Sequence, residues 1–115
     1  MRSTQTLVSV AVMLVLVGTL GVAAQEMELR TVQGKVVDEE NRAVSSAIVY
    51  LRDVQTDSVR TYITDSSGHY RFTWLGKADD YEVEAQAKEF RSRRRTISQW
   101  DTRRELIINL KLDKK

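Results

Sequence analysis

The sequence predicts an all-β domain, a seven-stranded antiparallel Greek-key sandwich, following an N-terminal signal helix. Three observations carry this reading. Apolar and polar residues alternate with a period of two through most of residues 31–112. Turn-forming clusters recur at short spacing between the alternating runs. No long stretch of that region shows the 3.6-residue period of a helix.

The N-terminal segment reads as an address. Arg2 and the chain's amine precede the apolar run Leu7–Val17, and Val22-Ala23-Ala24 places small residues before a cut at Gln25. The alternative is an uncleaved anchor, since Leu7 to Ala24 just reaches the length of a membrane span. Ser, Thr and two Gly within it, and the lack of a basic cluster after it, favour cleavage. Two segments follow: a signal peptide at 1–24 and a domain at 25–115. Removing 24 of 115 residues leaves 91, with 17 basic and 16 acidic side chains. A chain of that size folds alone with little stability to spare.

Each strand is legible in turn. Val32, Gly34 and Val36 share one face of the first, which ends at the polar turn Asp38–Arg42. Ala47, Val49 and Leu51 alternate with Ile48, Tyr50 and Arg52 in the second. Val59–Thr64 is rich in β-formers. Asp65-Ser66-Ser67-Gly68 is the clearest turn, because Asp and Ser bond local backbone and Gly accepts positive φ. Tyr70 and Phe72 follow on one face. Tyr81, Val83, Ala85 and Ala87 alternate with polar residues in the fifth strand. Phe90–Ile97 is a basic sixth strand, and Leu106, Ile108, Leu110 and Leu112 mark the seventh. The expected core includes Val36, Val49, Leu51, Tyr70, Phe72, Tyr81, Val83, Phe90, Ile108 and Leu110.

Composition excludes several functions. With no Cys there is no disulfide scaffold, iron–sulfur site, Cys-ligated zinc or lipid-anchored lipoprotein. One His excludes any site that needs two. A formal charge of +2 gives no reason to expect nucleic acid as a partner.

Several segments resemble a known family. Gly34-Lys35-Val36-Val37-Asp38, Ala43–Leu51, and Thr64-Asp65-Ser66-Ser67-Gly68-His69-Tyr70-Arg71-Phe72 are similar to the opening and central turn of carboxypeptidase regulatory-like domains. Leu75, Tyr81–Ala85 and Lys88-Glu89-Phe90 resemble the later strands. The match runs over about residues 32–112, in family order and spacing. The resemblance implies a transthyretin-like sandwich, an accessory or binding module of the cell envelope, and no catalysis. Two departures stand out. Ser45-Ser46 and Lys77-Ala78 replace loop positions where the family often has Pro, and Glu89 stands where it usually has Gly. If that turn needs positive φ, Glu89 costs stability.

Catalytic and metal chemistry find little support. His69 follows a turn Gly and points away from Tyr70 and Phe72, so it reads as a solvated strand position rather than a base for Ser66 or Ser67. Dioxygenases with the related sandwich need two Tyr and two His as iron ligands, and the chain's one His excludes that reading. The acidic turns Asp38-Glu39-Glu40 and Asp79-Asp80 lack a calcium-loop pattern, and Asp65 reads as the cap of its own turn. No cofactor is expected.

The basic run Lys88, Arg91, Arg93, Arg94, Arg95, with Trp100, Arg103 and Arg104 after it, is the most unusual feature. In an unbroken strand Arg91, Arg93 and Arg95 share a face and Arg94 opposes them. The candidate binding surface is therefore Arg91, Arg93, Arg95, Trp100 and Arg103, for an envelope protein or polysaccharide, with nucleic acid not expected. The same charges would also guard an edge strand and meet Glu82, Glu84 and Glu89 on neighbours. Trp74 has the parity of Tyr70 and Phe72 and is expected in the core or at its rim. The remaining alternatives are a structural domain that adds an edge strand to a larger assembly, and, last, a hydrolase.

Overall fold

A computed structural model describes residues 29–114, which contain strands, turns and loops and no helix. The signal peptide expected over 1–24 lies outside the described residues. Nine strands are present: β1 Leu29–Val37, β2 Ile48–Asp53, β3 Val59–Ile63, β4 His69–Gly76, β5 Tyr81–Ala87, β6 Phe90–Ser92, β7 Arg95–Ile97, β8 Glu105–Ile107 and β9 Leu110–Lys114. The count exceeds seven because the expected sixth strand divides into β6 and β7, and the expected seventh into β8 and β9.

They form one curled sheet in the order β3-β2-β5-β6-β9-β1-β4, with β7 also on β5 and β8 also on β1. The sheet is mixed, which corrects the purely antiparallel expectation: β1 pairs parallel with β8 and then with β9. Alternation encodes which face a side chain takes, not strand direction. Here the loop after β7 returns the chain along β1 in the same sense.

The curl encloses the core. Val32, Val36, Val49, Leu51, Tyr70, Phe72, Tyr81, Val83, Ile108 and Leu110 are all buried, and Phe90 is half-buried against them. Tyr70 donates its hydroxyl to the Ile108 carbonyl at 2.6 Å, and burial pushes that hydroxyl's pKa well above its ordinary range. Buried Thr64 accepts from Ala47 N at 2.9 Å and donates to Val44 O at 2.7 Å, so its polar group is satisfied. The two ends of the curl meet through side chains. The Tyr62 and Phe72 rings sit edge-on with centroids 6.1 Å apart, and Arg60 Nη1 donates to Thr73 O at 2.7 Å.

The expected turn forms as read. Asp65 Oδ1 accepts from Ser67 N at 2.9 Å and His69 N at 3.0 Å, and Gly68 has φ 73°. At the β5–β6 turn the positive φ falls on Lys88, at 55°, and not on Glu89. The strain anticipated there therefore sits one residue earlier than the family pattern suggested.

Two bulges re-aim side chains. In β4, Phe72 faces Val32 and Leu75 faces Arg30, so Thr73 and Trp74 together oppose Thr31. Trp74 has φ 64° and is 74% exposed, not in the core or at its rim as expected. The extra residue breaks the two-residue parity that linked it to Phe72. The second bulge lies between β6 and β7 and shapes the candidate site.

Candidate functional site

Gln86 faces Arg91 and Val83 faces Arg95, so three steps on β5 are matched by four on the facing chain. One extra residue lies in the segment Ser92-Arg93-Arg94. The displaced backbone leaves Ala85 N without a strand partner, and the buried Ser92 Oγ accepts from it at 2.8 Å. This bulge decides where each arginine goes.

Arg91 stands opposite the outward-facing Gln86. With the Gln86 amide turned so that its oxygen faces Arg91, Nη2 and Nε donate to it at 2.6 and 3.0 Å. Arg94 projects to the same outer face, with Nε 3.0 Å from Glu82 Oε2 and Nη2 3.9 Å from Glu84 Oε1. Arg95 stands opposite the inward-facing Val83. Arg93 and Arg95 line a groove of about 400 Å³ with Asn109, Leu110, Lys111 and Asp113. Arg91, Arg93 and Arg95 therefore do not share a face. The bulge reverses parity between Arg91 and Arg95, and it leaves Arg94 as the arginine paired with the acidic strand.

The groove sets three cations against one carboxylate, Asp113. Among the described residues Arg93, Arg95 and Lys111 have no ion pair within 4.0 Å. Lys111 was not among the expected site residues. Its alternation with Leu110 and Leu112 marks it as outward, but only the pairing of β9 with β6 brings it beside the arginines.

Trp100 and Arg103 lie in the β7–β8 loop and do not line this groove. Trp100 is 83% exposed. Arg103 is engaged locally: Nε and Nη2 donate to Asp101 Oδ1 at 3.0 Å and Oδ2 at 2.7 Å. That bond, aided by the Arg103 backbone N–H, holds the Asp101 carboxyl down at about 2.

The loop is pinned by a residue the sequence reading passed over. Arg30 is fully buried. Its Nη1 donates to Ser98 O at 2.7 Å and Asp101 O at 3.3 Å, and its Nη2 to Gly76 O and Asp79 O, both at 2.8 Å. Its guanidinium carbon lies 5.9 Å from the centre of the Tyr81 ring. One planar fork thus ties the β4–β5 loop to the β7–β8 loop. Close by, the Asp79 and Asp53 carboxyls share a side-chain hydrogen bond. That bond, with burial, raises Asp79. Burial works to raise Asp53 too, but the bond with Asp79 and the N–H groups of Gln55 and Thr56 outweigh it and hold Asp53 low.

Trp74 illustrates the cost of the β4 bulge. A bulky residue in the left-handed region is strained by about 1–2 kcal/mol. Trp74→Gly is expected to stabilise the domain by about 0.5–1 kcal/mol, raising Tm by a few degrees. A fall in Tm would show that the indole supports the fold by packing.

The acidic turns act on their own backbone. Asp38 Oδ1 accepts from Glu40 N at 3.0 Å and Arg42 N at 2.9 Å. Among the described residues no cluster of three His, Asp or Glu is placed to hold a metal ion. His69 is half-buried opposite Lys35, and among the described residues no hydrogen bond joins its ring to Ser66 or Ser67.

An all-β, curled mixed sheet with bulged strands and a basic groove defines a small β module. The chain belongs to the carboxypeptidase regulatory-like domain family, whose model matches residues 31–112. No curated protein sequence matches it. Among solved structures it is similar to catechol 1,2-dioxygenase from Acinetobacter sp. ADP1, with TM-score 0.56 and 12% identity over 76% of this chain and 53% of that one. Hydroxyquinol 1,2-dioxygenase from Pseudomonas putida DLL-E4 gives TM-score 0.53 and 8% identity over 76% and 57%. The chain spans about half the length of these enzymes. At such identity the likeness is one of fold.

Proposed function

We propose that this chain is an exported, non-catalytic binding module that takes an anionic group of a cell-envelope partner, protein or carbohydrate, in the Arg93–Arg95–Lys111 groove. The observation that carries the reading is the convergence around one concave surface of three cations that have no ion-pair partner among the described residues. An anionic ligand there would gain charge-assisted hydrogen bonds from two guanidinium forks. Family membership supports a module without catalysis. So does the single imidazole, which falls short of the two-His ligand set of the sandwich-shaped dioxygenases. Counting β6–β7 and β8–β9 each as one interrupted strand gives seven strands, which supports reading the curled sheet as a sandwich of the family's kind. Export rests on the signal-like segment at 1–24.

The test is co-sedimentation of the chain from Gln25 onward with envelope material and with insoluble acidic polysaccharide, at low and moderate salt. Binding is expected to weaken with salt. The Arg93→Ala/Arg95→Ala variant is expected to lose about tenfold in affinity, from two exposed charge contacts of about 0.7 kcal/mol each. Arg94→Ala, on the outer face, should bind nearly as well as wild type. Salt-independent binding that survives the double substitution would overturn the groove as the site and direct attention to Trp100.

A further inference from the structure

The strand order ends at β3 on one side and β4 on the other, and these two end strands are managed differently. β4 is interrupted by the Thr73–Trp74 bulge, and the Thr73 carbonyl is occupied by Arg60. Bulges and occupied carbonyls are the usual means of blocking an edge. β3 has neither. Its five residues, Val59 to Ile63, are all exposed, and it pairs with β2 in unbroken register from Ile48↔Ile63 to Arg52↔Val59.

The phase of that ladder shows what the edge offers. Asp53 N donates to Ser58 O and Thr64 N to Ala47 O, both at 2.9 Å. In an antiparallel ladder the hydrogen-bonded positions alternate. Residues 58, 60, 62 and 64 therefore turn their backbone groups towards β2, and Val59, Thr61 and Ile63 turn theirs outwards. The same three residues carry their side chains on the outer face, where Val59 is 53% and Ile63 66% exposed. Ile48, 38% exposed, lies beside Ile63.

We propose that two copies of this chain pair antiparallel through β3, about a twofold axis at Thr61. In that register Val59 meets Ile63 of the other copy, Thr61 meets Thr61, and each pair exchanges two backbone hydrogen bonds. The apolar ends cover each other and the hydroxyls meet at the centre. Arg60, the one charged residue of the strand, falls opposite Tyr62 of the other copy and not opposite a second cation, so it keeps its bond to Thr73 O within its own copy. A register centred on Arg60 would set two guanidinium groups against each other. One centred on Tyr62 would leave Val59 beyond the end of the partner strand. The edge is thus most complementary to itself at a single register. This surface is separate from the Arg93–Arg95–Lys111 groove and does not depend on its function.

The chain has no Cys, so single-cysteine variants of the full chain test the register directly. Facing residues of a hydrogen-bonded antiparallel pair lie about 5.5 Å apart at Cα, within reach of a disulfide. Under mild oxidation Thr61→Cys is expected to form covalent dimers. Val59→Cys and Ile63→Cys are expected to stay at background when oxidised alone and to cross-link when mixed. No cross-linking, or equal cross-linking at all three positions, would overturn the proposal.

Discussion

Replacing Arg30 by Ala is expected to cost about 3–5 kcal/mol of folding stability, a large share of what a domain of this size possesses. The reason is the number of groups that lose a partner together. Arg30 is fully buried and satisfies the carbonyls of Gly76, Asp79, Ser98 and Asp101. Those carbonyls sit in two loops distant in sequence from β1. Without the guanidinium they must find water or remain unsatisfied, at about 1–3 kcal/mol for each that stays buried. Lys in its place keeps the charge but offers three donors at one point instead of a planar fork. Arg30→Lys is therefore expected to recover less than half of the loss. Urea unfolding followed by tryptophan fluorescence measures both effects, because Trp100 lies in one of the pinned loops. A loss under about 1 kcal/mol for Arg30→Ala would show that the loops hold themselves.

Gly34→Ala is the second large effect and is expected to prevent the native β8–β9 crossing. A Cβ at Gly34 would stand 2.0 Å from the Ile108 carbonyl oxygen and 2.6 Å from its carbon. Both are backbone atoms, so no side-chain rotation relieves the clash. The crossing is held on all sides: Ile108 N donates to Gln33 O at 2.9 Å, Asn109 Oδ1 accepts from Lys35 N at 3.0 Å, and Tyr70 bonds the Ile108 carbonyl. Moving Ile108 away would break the hydrogen bonds that close the curl between β1 and the last strands. The expected result is a loss above about 3 kcal/mol, seen as a collapsed urea midpoint or failure to fold. Tyr62→Ala, at the opposite side of the sheet and partly exposed, serves as a milder reference. A Gly34→Ala protein of unchanged midpoint would mean that β1 and the 108–109 corner are not in contact.

Both predictions concern residues that sequence patterning underrated. Gly34 falls on the inward face by parity, yet its need for a missing Cβ comes from a segment seventy-odd residues later. Arg30 precedes the first alternating run. A lone arginine there carries no local signal that it will be buried. Lys111 looks like one more solvent-facing strand residue until β6 pairs with β9. Trp74 and the arginine run show the reverse case: their patterns were legible, and bulges overruled them.

What the sequence determined by itself is local: which segments are strands, which face of most of them is apolar, and the Asp65–Gly68 turn. Each rests on interactions within a few residues, so each is written into consecutive positions. Family membership was legible for the same reason, as an ordered series of such local pieces. The tertiary structure alone decided strand direction, the two bulges, the burial of Arg30, the meeting of Arg93, Arg95 and Lys111, and the open edge of β3. All of these depend on which strand lies beside which, and on a mismatch of one residue between facing strands. A two-residue alternation carries no record of either.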